Sequence, residues 1–243
     1  MAPVIILVEP QLVENIGMTA RAMLNTGLKE LRIVNPRDKW PLDIVHHNRM
    51  LAASSGADEI LLSARVFDTI EEAIADIQYV YATTARTHDM VMKIMTPRKA
   101  ASDMIERQHK GEKTAVLFGR ERTGLINDDL VLANSKITIP LNPEFTSLNL
   151  AQAVLLIGYE WYQAQDSTKE EYLHIGNSSL AAKEEYLNFF NRFETALEES
   201  GFFPAPDMKP SITRNLMNIF ERAEMTSQEV RTMHGVLSAL KKR

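Results

Sequence analysis

Three stretches of the chain combine glycines, arginines and amide or hydroxyl side chains more densely than a simple turn requires. They read ENIGMTARA (14–22), LFGRERTGL (117–125) and IPLNPEFTSLNLA (139–151). Arginine suits two-pronged contact with a phosphate, and glycine lets a ligand approach the backbone closely. A capped turn explains each stretch taken alone. Because each stretch lies at the end of a predicted strand, we expect them to line one composite pocket.

The elements that carry these stretches alternate between strand and helix over the first two-thirds of the chain. Short apolar runs rich in β-branched residues predict buried parallel strands at 3–9, 30–34, 59–62, 78–84, 114–119 and 135–140. Helical patterns are found at 16–26, 98–109 and 147–165. We therefore predict an α/β fold, with a mostly parallel sheet and helices on both faces.

Local chemistry assigns roles within the first and third stretches. Asn15 is predicted to cap the first helix, and Gly17 allows close backbone approach. Arg21, one turn further on, is placed to contact a phosphate near the helix N-terminus. Thr146 or Ser147 is predicted to cap the helix that follows the third stretch.

The character of the chain changes near residue 165. The polar segment QAQDSTKEEYLHIGNSS (163–179) has no apolar period and indicates a linker. Helical patterns follow at 179–200, 211–223 and 226–242. The predicted organisation is a domain over 1–165, followed by a linker and a small all-helical extension over 166–243.

Composition excludes several classes of protein. The chain has no cysteine, which removes disulfides, thiolate metal sites and cysteine nucleophiles, so a reducing cytoplasmic location is expected. No apolar run reaches the length of a membrane span, and no signal peptide is evident. Sequence patterns of dinucleotide-binding, P-loop and esterase sites are missing. His46-His47 is interpreted as a surface or helix-packing pair, so no metal is expected.

The net charge of −5 speaks against a globally basic nucleic-acid binder, but the charge is unevenly distributed. Segment 86–122 holds nine Lys/Arg against five acids, and segment 166–205 holds three against eight. The residues from 206 to the end hold seven against four. Solvated helix faces explain any one of these runs, while local basic patches are also what phosphate contact requires.

The sequences ENIGMTARAM, LFGRERTGL and IPLNPEFTSLNLAQAV resemble the three motifs of the SPOUT RNA methyltransferases, in the branch that methylates the ribose 2′-hydroxyl. The resemblance covers about 1–165 closely and the helical tail loosely. With that tail, the chain is similar to tRNA (cytidine/uridine) 2′-O-methyltransferases that act on nucleotide 32 of the anticodon loop. The resemblance implies a SPOUT fold with a C-terminal trefoil knot at about 115–160, an exception to the general absence of knots.

The same resemblance implies a cofactor, S-adenosylmethionine, held in the knot and released as S-adenosylhomocysteine. It also implies a homodimer packed through the knot region and a tRNA or rRNA substrate. On this basis Gly119 is needed because a side chain there would block the adenosine. The matching cofactor positions are Thr83, Thr84, Ala85, Leu117, Gly119, Glu121, Ile139, Thr146, Ser147 and Leu148.

For catalysis, the resemblance points to Arg21, with Asn15, Ser147 and Asn149 positioning RNA or cofactor. Arginine is a poor base because its pKa exceeds about 12. Arg21 is therefore interpreted as a phosphate anchor that orients the hydroxyl, with a base role requiring a strongly altered environment. Glu121 is either a direct cofactor contact or a structural partner for Arg120, Arg122 or a backbone amide.

Alternatives remain open at this stage. The substrate is either nucleotide 32 of tRNA or another ribose in tRNA or rRNA, and a non-catalytic RNA-binding module of the same fold is the rival from another class. Segment 86–97 is interpreted either as a lid near the cofactor or as a surface loop covering a core edge.

Overall fold

In the computed structural model, which describes residues 1–84, 90–169, 171 and 174–241, seven parallel strands form one sheet. The spatial order is β3-β2-β1-β6-β4-β7-β5, so β1, β6, β4 and β7 are neighbours at its centre. The strands are β1 Val4–Val8, β2 Leu31–Val34, β3 Arg65–Phe67, β4 Tyr79–Thr83, β5 Lys93–Met95, β6 Thr114–Phe118 and β7 Ser135–Ile137.

Helices cover both faces of this sheet because alternate strand residues are apolar on each side. Ile5 and Leu7 of β1 belong to one buried cluster, and Val4, Ile6 and Val8 belong to the other. The predicted α/β architecture is confirmed. The helices of this part of the chain are α1 Val13–Asn25, α2 Ile44–Ser54, α3 Asp58–Leu62, α4 Ile70–Ile74, α5 Pro97–His109, α6 Asn127–Leu130 and α7 Leu150–Gln163.

The chain divides into two compact units, Met1–Thr168 and Lys169–Arg243. The second unit contains α8 Lys183–Glu199, α9 Lys209–Arg222 and α10 Ser227–Leu240, close to the three predicted helical stretches. Its small core is built on the buried side chains of Phe189, Val230 and Leu237. Thr226 caps α10 by accepting from the Glu229 amide. Within the described residues, no helix is long and apolar enough to cross a membrane.

Several predicted elements are wrong or incomplete. Residues 59–62 were predicted as a strand but lie in α3, because a four-residue apolar run fits either period. Strands β3 and β5 were missed, since each has three residues and begins with Arg65 or Lys93. Segment 86–97 is not one loop, because β5 and the start of α5 occupy its second half. Residues 85–89 lie outside the described part of the chain.

The helix caps also differ from the prediction. Helix α1 begins at Val13, so Asn15 lies inside the helix and does not cap it. Helix α7 is capped by Asn149, which accepts from the amides of Ala151 and Gln152, and neither Thr146 nor Ser147 takes that place. The predicted trefoil knot would run from β6 to α7 and stays a prediction.

A buried arginine with two carboxylate partners that are more exposed stabilises the end of the sheet opposite to the three motif stretches. The Arg32 side chain is 1% exposed and donates to Glu30, to Asp76 and to the Ala73 carbonyl. The hydrogen bond from Arg32 holds the pKa of Asp76 well below its usual range. A buried guanidinium is tolerated here because carboxylates satisfy its donors.

Helix α1 packs closely against α2 at Gly17. A Cβ at position 17 would lie 2.2 Å from the Met50 carbonyl oxygen and 2.9 Å from the Ala53 Cβ. The close backbone approach that the sequence predicted at Gly17 is therefore an approach of the neighbouring helix. This contact fixes the direction of α1, which carries Asn15 and Arg21.

We expect Gly17→Ala to destabilise the first unit by about 1–3 kcal/mol, because backbone atoms of α2 must move to admit the methyl group. Urea unfolding followed by the fluorescence of Trp40 and Trp161 measures this unit, which contains both tryptophans. The second unit has no tryptophan, so its unfolding is followed by helical circular dichroism. There Gly235→Ala in α10 is the control, since a Cβ at this position meets nothing within 4 Å. It should be neutral or stabilise by about 0.5–1 kcal/mol. Equal effects of the two substitutions would contradict the packing argument.

Candidate functional site

A cavity of about 330 Å³ lies at the carboxyl ends of β4, β6 and β7. Its walls come from the second and third motif stretches and from the residues at the end of β4, so two of the three predicted stretches line one pocket directly. Among the positions named from the sequence, those lining it are Thr83, Thr84, Gly119, Glu121, Ile139, Thr146, Ser147 and Leu148.

Of the other predicted cofactor positions, Leu117 does not line the cavity. Leu117 is fully buried, and its carbonyl accepts a hydrogen bond of 2.9 Å from Thr83 Oγ1, so it holds β4 and β6 together behind the pocket. Ala85 lies outside the described residues. The site residues predicted from the sequence also omitted apolar lining residues, among them Phe118, Leu125 and Leu150. All three lie inside the second or third motif stretch.

The loop 119–125 forms one wall and turns back tightly on itself. The Gly124 amide donates to the Arg120 carbonyl at 2.8 Å, and Gly124 has a φ of +70°. A Cβ at Gly119 would lie 2.2 Å from the Gly124 carbonyl carbon. The sequence assigned Gly119 to leaving space for an adenosine. The structure shows that the loop itself excludes a side chain there.

Three hydrogen-bonded side chains connect the three motif stretches. Asn15 Nδ2 donates to Glu121 Oε1 at 3.0 Å, and Asn149 Nδ2 donates to Asn15 Oδ1 at 2.9 Å. Asn15 is 3% exposed, so both ends of its amide are satisfied by these partners. The first stretch is therefore connected to the pocket wall through Asn15. No local pattern in the sequence predicted its hydrogen bonds to Glu121 and Asn149.

Glu121 also serves the start of α1. Its carboxylate accepts from the Gln11 amide at 2.9 Å and from the Leu12 amide at 3.1 Å. Leu12, the residue before α1, has no side-chain cap of its own, so a negative charge from another loop satisfies amides at the positive end of the helix. Of the structural partners considered for Glu121, the backbone amides are confirmed, and Arg120 pairs elsewhere.

The predicted catalytic residues occupy different environments. Asn15 and Asn149 are brought together, with the Asn149 side chain also capping α7. Ser147 is exposed on the pocket rim, whereas Arg21 is exposed on α1 and donates to Ser55 Oγ at 3.3 Å. Arg21 does not line the cavity formed by the described residues. Its catalytic role stays a prediction.

Most of the described cations of the basic segment 86–122 are paired with acids. Arg98 pairs with Glu160, Lys113 with Asp76 and Arg107 with Asp103. Within the part of the chain that the structure describes, Lys99, Lys110 and Arg122 are exposed without an ion pair. The charge count of the segment therefore overstates the positive charge free to meet a phosphate.

A metal role for the two adjacent histidines finds no structural support. His46 Nδ1 lies 2.6 Å from Asp43 Oδ2 at the start of α2, a local contact with the N-cap residue. Across residues 1–84, 90–169, 171 and 174–241, no group of three or more His, Cys, Asp or Glu side chains could hold a metal ion.

Comparison with known proteins finds one matching family profile and similar solved structures. The sequence profile described as "SpoU rRNA Methylase family" matches residues 2–159. The crystal structure of TrmJ from Z. mobilis ZM4 superposes with a TM-score of 0.85 at 44% identity, covering 99% of each chain.

Curated relatives are similar over nearly the whole chain. The tRNA (cytidine/uridine-2′-O-)-methyltransferase TrmJ of Sodalis glossinidius is 35% identical over 243 residues, covering 97% of this chain and 90% of the relative. The tRNA (cytidine/uridine/adenosine-2′-O-)-methyltransferase TrmJ of Pseudomonas aeruginosa is 33% identical over 246 residues, covering 98% and 93%. The similarity extends into the helical unit beyond the family profile.

We expect Asn15 and Glu121 to be energetically coupled across the pocket. Glu121→Ala should cost about 1–3 kcal/mol of unfolding free energy, because it leaves the buried Asn15 amide without its acceptor. Asn15→Ala should cost about 1–2 kcal/mol, because its hydrogen bonds to Glu121 and Asn149 are lost. The double variant should cost less than the two together by about 1 kcal/mol. Urea unfolding of the four proteins measures this coupling.

Asn142→Ala is the matched control for that cycle. Its side chain is exposed and accepts from the Glu144 amide within the same loop. Its effect should add to that of Glu121→Ala without coupling. Additive effects of the Asn15 and Glu121 substitutions would show that the connection between the stretches contributes no stability.

Proposed function

Because the chain belongs to the SpoU rRNA methylase family, we propose that it transfers the methyl group of S-adenosylmethionine to a ribose 2′-hydroxyl of tRNA. The observation that supports this most directly is the hydrogen-bonded chain of Glu121, Asn15 and Asn149. It unites the three motif stretches at one cavity at the carboxyl ends of the strands, where ligands bind in α/β sheets.

The cavity suits the cofactor in size and lining. Its volume of about 330 Å³ lies in the range of small-molecule sites, about 300–1,000 Å³. Apolar side chains such as Ile137, Ile139 and Leu148 suit the faces of an adenine, while Thr83, Thr84 and Ser147 offer polar groups to its ribose and methionine parts. When bound, S-adenosylmethionine supplies the electrophilic methyl group on a sulfonium.

The protein's own task is then to position the 2′-hydroxyl and to assist loss of its proton. The Ser147 hydroxyl is exposed at the rim and is proposed to contact RNA or cofactor. Asn15 and Asn149 use their amides on each other, on Glu121 and on the start of α7, so we assign them to holding the pocket in shape. Arg21 is proposed to anchor a phosphate next to the target ribose.

The proposed substrate is nucleotide 32 in the anticodon loop of tRNA. The full-length similarity to TrmJ proteins named as tRNA 2′-O-methyltransferases supports tRNA over rRNA. The relatives' names differ in the accepted bases, since one includes adenosine, so the proposal concerns the ribose and leaves the base open. We propose a cytoplasmic location on the same basis, since a tRNA substrate would be met there.

We also propose a homodimer formed through α7 and the knot region. Leu155, Tyr159 and Tyr162 follow one another on one face of α7 and are 40–52% exposed. A neighbouring residue, Leu156, is 39% exposed. A row of apolar side chains on one exposed face of a helix is typical of a surface that another protein covers. A second copy would bury this face beside the pocket to which the start of α7 contributes.

Arg21→Ala should lower the rate of methyl transfer to tRNA by about 100-fold or more, because the target hydroxyl loses its alignment. Affinity for S-adenosylmethionine should stay near that of the wild type, since Arg21 does not line the described cavity. Labelled methyl incorporation and calorimetry measure the two quantities. Arg65→Ala is the control, because Arg65 pairs with Glu30 at the opposite end of the sheet.

The substrate assignment is tested in the same assay with a tRNA transcript carrying 2′-deoxyribose at nucleotide 32 alone. Methylation should be lost with this transcript and retained when the deoxyribose is placed at a neighbouring nucleotide. Unchanged methylation of the 32-deoxy transcript would refute the proposed target.

For the preceding experiment, full methyl-transfer activity of Arg21→Ala would refute the proposed role of that arginine.

Tyr159→Asp should shift the protein from dimer to monomer, because a charged carboxylate would be buried in an apolar interface. Light scattering coupled to size-exclusion chromatography measures the mass. Leu62→Asp on α3 is the control, since Leu62 is 80% exposed outside the proposed interface. A dimer that survives Tyr159→Asp would place the interface elsewhere.

A further inference from the structure

We propose that Arg120 is a positioning residue for cofactor binding. It clamps Glu9 at the end of β1 to Asp129 in α6 and thereby holds the loop 119–125 in the shape that the cavity requires. This inference rests on the proposed function and names a residue of the same site whose role is distinct from contact with the cofactor.

The contacts of Arg120 form a closed ionic cluster. Arg120 Nε donates to Glu9 Oε2 at 2.8 Å, and Nη2 donates to Glu9 Oε1 at 2.5 Å. The third nitrogen, Nη1, donates to Asp129 Oδ2 at 2.7 Å. The paired, parallel geometry with Glu9 is the strongest form of an arginine–carboxylate contact.

The cluster is largely withdrawn from water. The Arg120 side chain is 13% exposed and that of Asp129 is 8% exposed. Glu9 is 40% exposed, so it is the most accessible member. Removing the guanidinium would leave the Asp129 carboxylate buried without its counter-charge, which strongly favours a rearrangement of the loop.

The two partners of Arg120 lie on different elements next to the loop 119–125. Glu9 follows β1 directly and has a φ of +48°, a backbone conformation that non-glycine residues rarely adopt. Asp129 Oδ2 also accepts from the Ile126 amide at 2.9 Å, at the residue before α6. Arg120 therefore joins the strand on one side of β6 to the helix that follows the loop.

Further contacts constrain the conformation of the loop 119–125. Gly119 has no space for a side chain, and the Gly124 amide returns to the Arg120 carbonyl. The next residue, Glu121, carries the hydrogen bonds to Asn15 and to the start of α1. A shift at Arg120 would displace the cavity wall and Glu121 together.

Arg120 lines the cavity, yet its charge is committed to two carboxylates. All three guanidinium nitrogens donate within the protein, and Nη1 also reaches the Gly124 carbonyl at 3.4 Å. This saturation argues against a direct ionic contact with the cofactor's carboxylate. The hydrogen bond from Arg120 lowers the pKa of Glu9, which favours the ionised form of that carboxylate.

The test measures S-adenosylhomocysteine binding by calorimetry to wild type and to Arg120→Met, at a temperature where both are folded. We expect affinity to fall at least about tenfold in Arg120→Met. Arg120→Lys should recover part of the loss, because it restores the charge without the two-pronged geometry. In steady state, Arg120→Lys should raise the KM for S-adenosylmethionine while kcat at saturation stays near wild type.

Arg107→Met is the matched control for a purely structural effect. Arg107 is also a largely buried arginine that bridges two acids, Asp103 and Glu112, but it does not line the cavity. Its removal should lower thermal stability while the affinity of the folded protein for S-adenosylhomocysteine stays within about twofold of wild type, since effects of distant sites are independent.

The affinity of the variants distinguishes a positioning role of Arg120 from a purely structural one. If Arg120→Met is folded and binds as tightly as wild type, the clamp has no positioning role. If it does not fold, Glu9→Gln takes its place, because it keeps the buried arginine and weakens only the exposed arm; unchanged affinity would then overturn the proposal. Failure of wild type to bind S-adenosylhomocysteine would instead overturn the proposed function itself.

Discussion

The hydrogen-bonded chain from Glu121 through Asn15 to Asn149 is the constraint on which the site depends. Asn15 and Glu121 are 106 residues apart in sequence, and Asn15 and Asn149 are 134 apart. Their side chains meet because β1, β6, β4 and β7 are adjacent in the sheet. Asn15 is buried, so its amide must find partners, and loss of Glu121 or Asn149 leaves one end of it unsatisfied. The two hydrogen bonds among these three side chains therefore connect the start of α1, the loop after β6 and the start of α7.

Two arginines with little exposure, Arg32 and Arg120, lie in ion clusters at opposite ends of the sheet. Arg32 with Glu30 and Asp76 secures one end of the sheet, while Arg120 with Glu9 and Asp129 secures the other. Both arginines are saturated by carboxylates, as burial requires. Arg122 and Ser147 line the cavity and are exposed, whereas Arg21 is exposed on α1 and does not line the described cavity.

Elements with a long periodic pattern were predicted correctly, and very short elements were not. The α/β order was readable because apolar periodicity and glycine punctuation are local. The run at 59–62 failed because four apolar residues fit a helix as well as a strand, and β3 and β5 failed because three-residue edge strands carry almost no pattern. The cap of α7 was placed two or three residues early, since several neighbouring side chains can cap a helix and only packing selects Asn149.

By itself the sequence determined the class of fold and the three stretches that meet at the site, because both depend on residue type and short-range spacing. Most residues around the cavity were predicted from the resemblance of those stretches to the motifs of a known family. Only the tertiary structure decided which partners the polar groups take: Glu121 serves backbone amides and Asn15, and Arg120 serves Glu9 and Asp129. It also decided that Gly119 is required by its own loop. The reason is that these contacts join chain segments through the order of the strands, which no local pattern encodes.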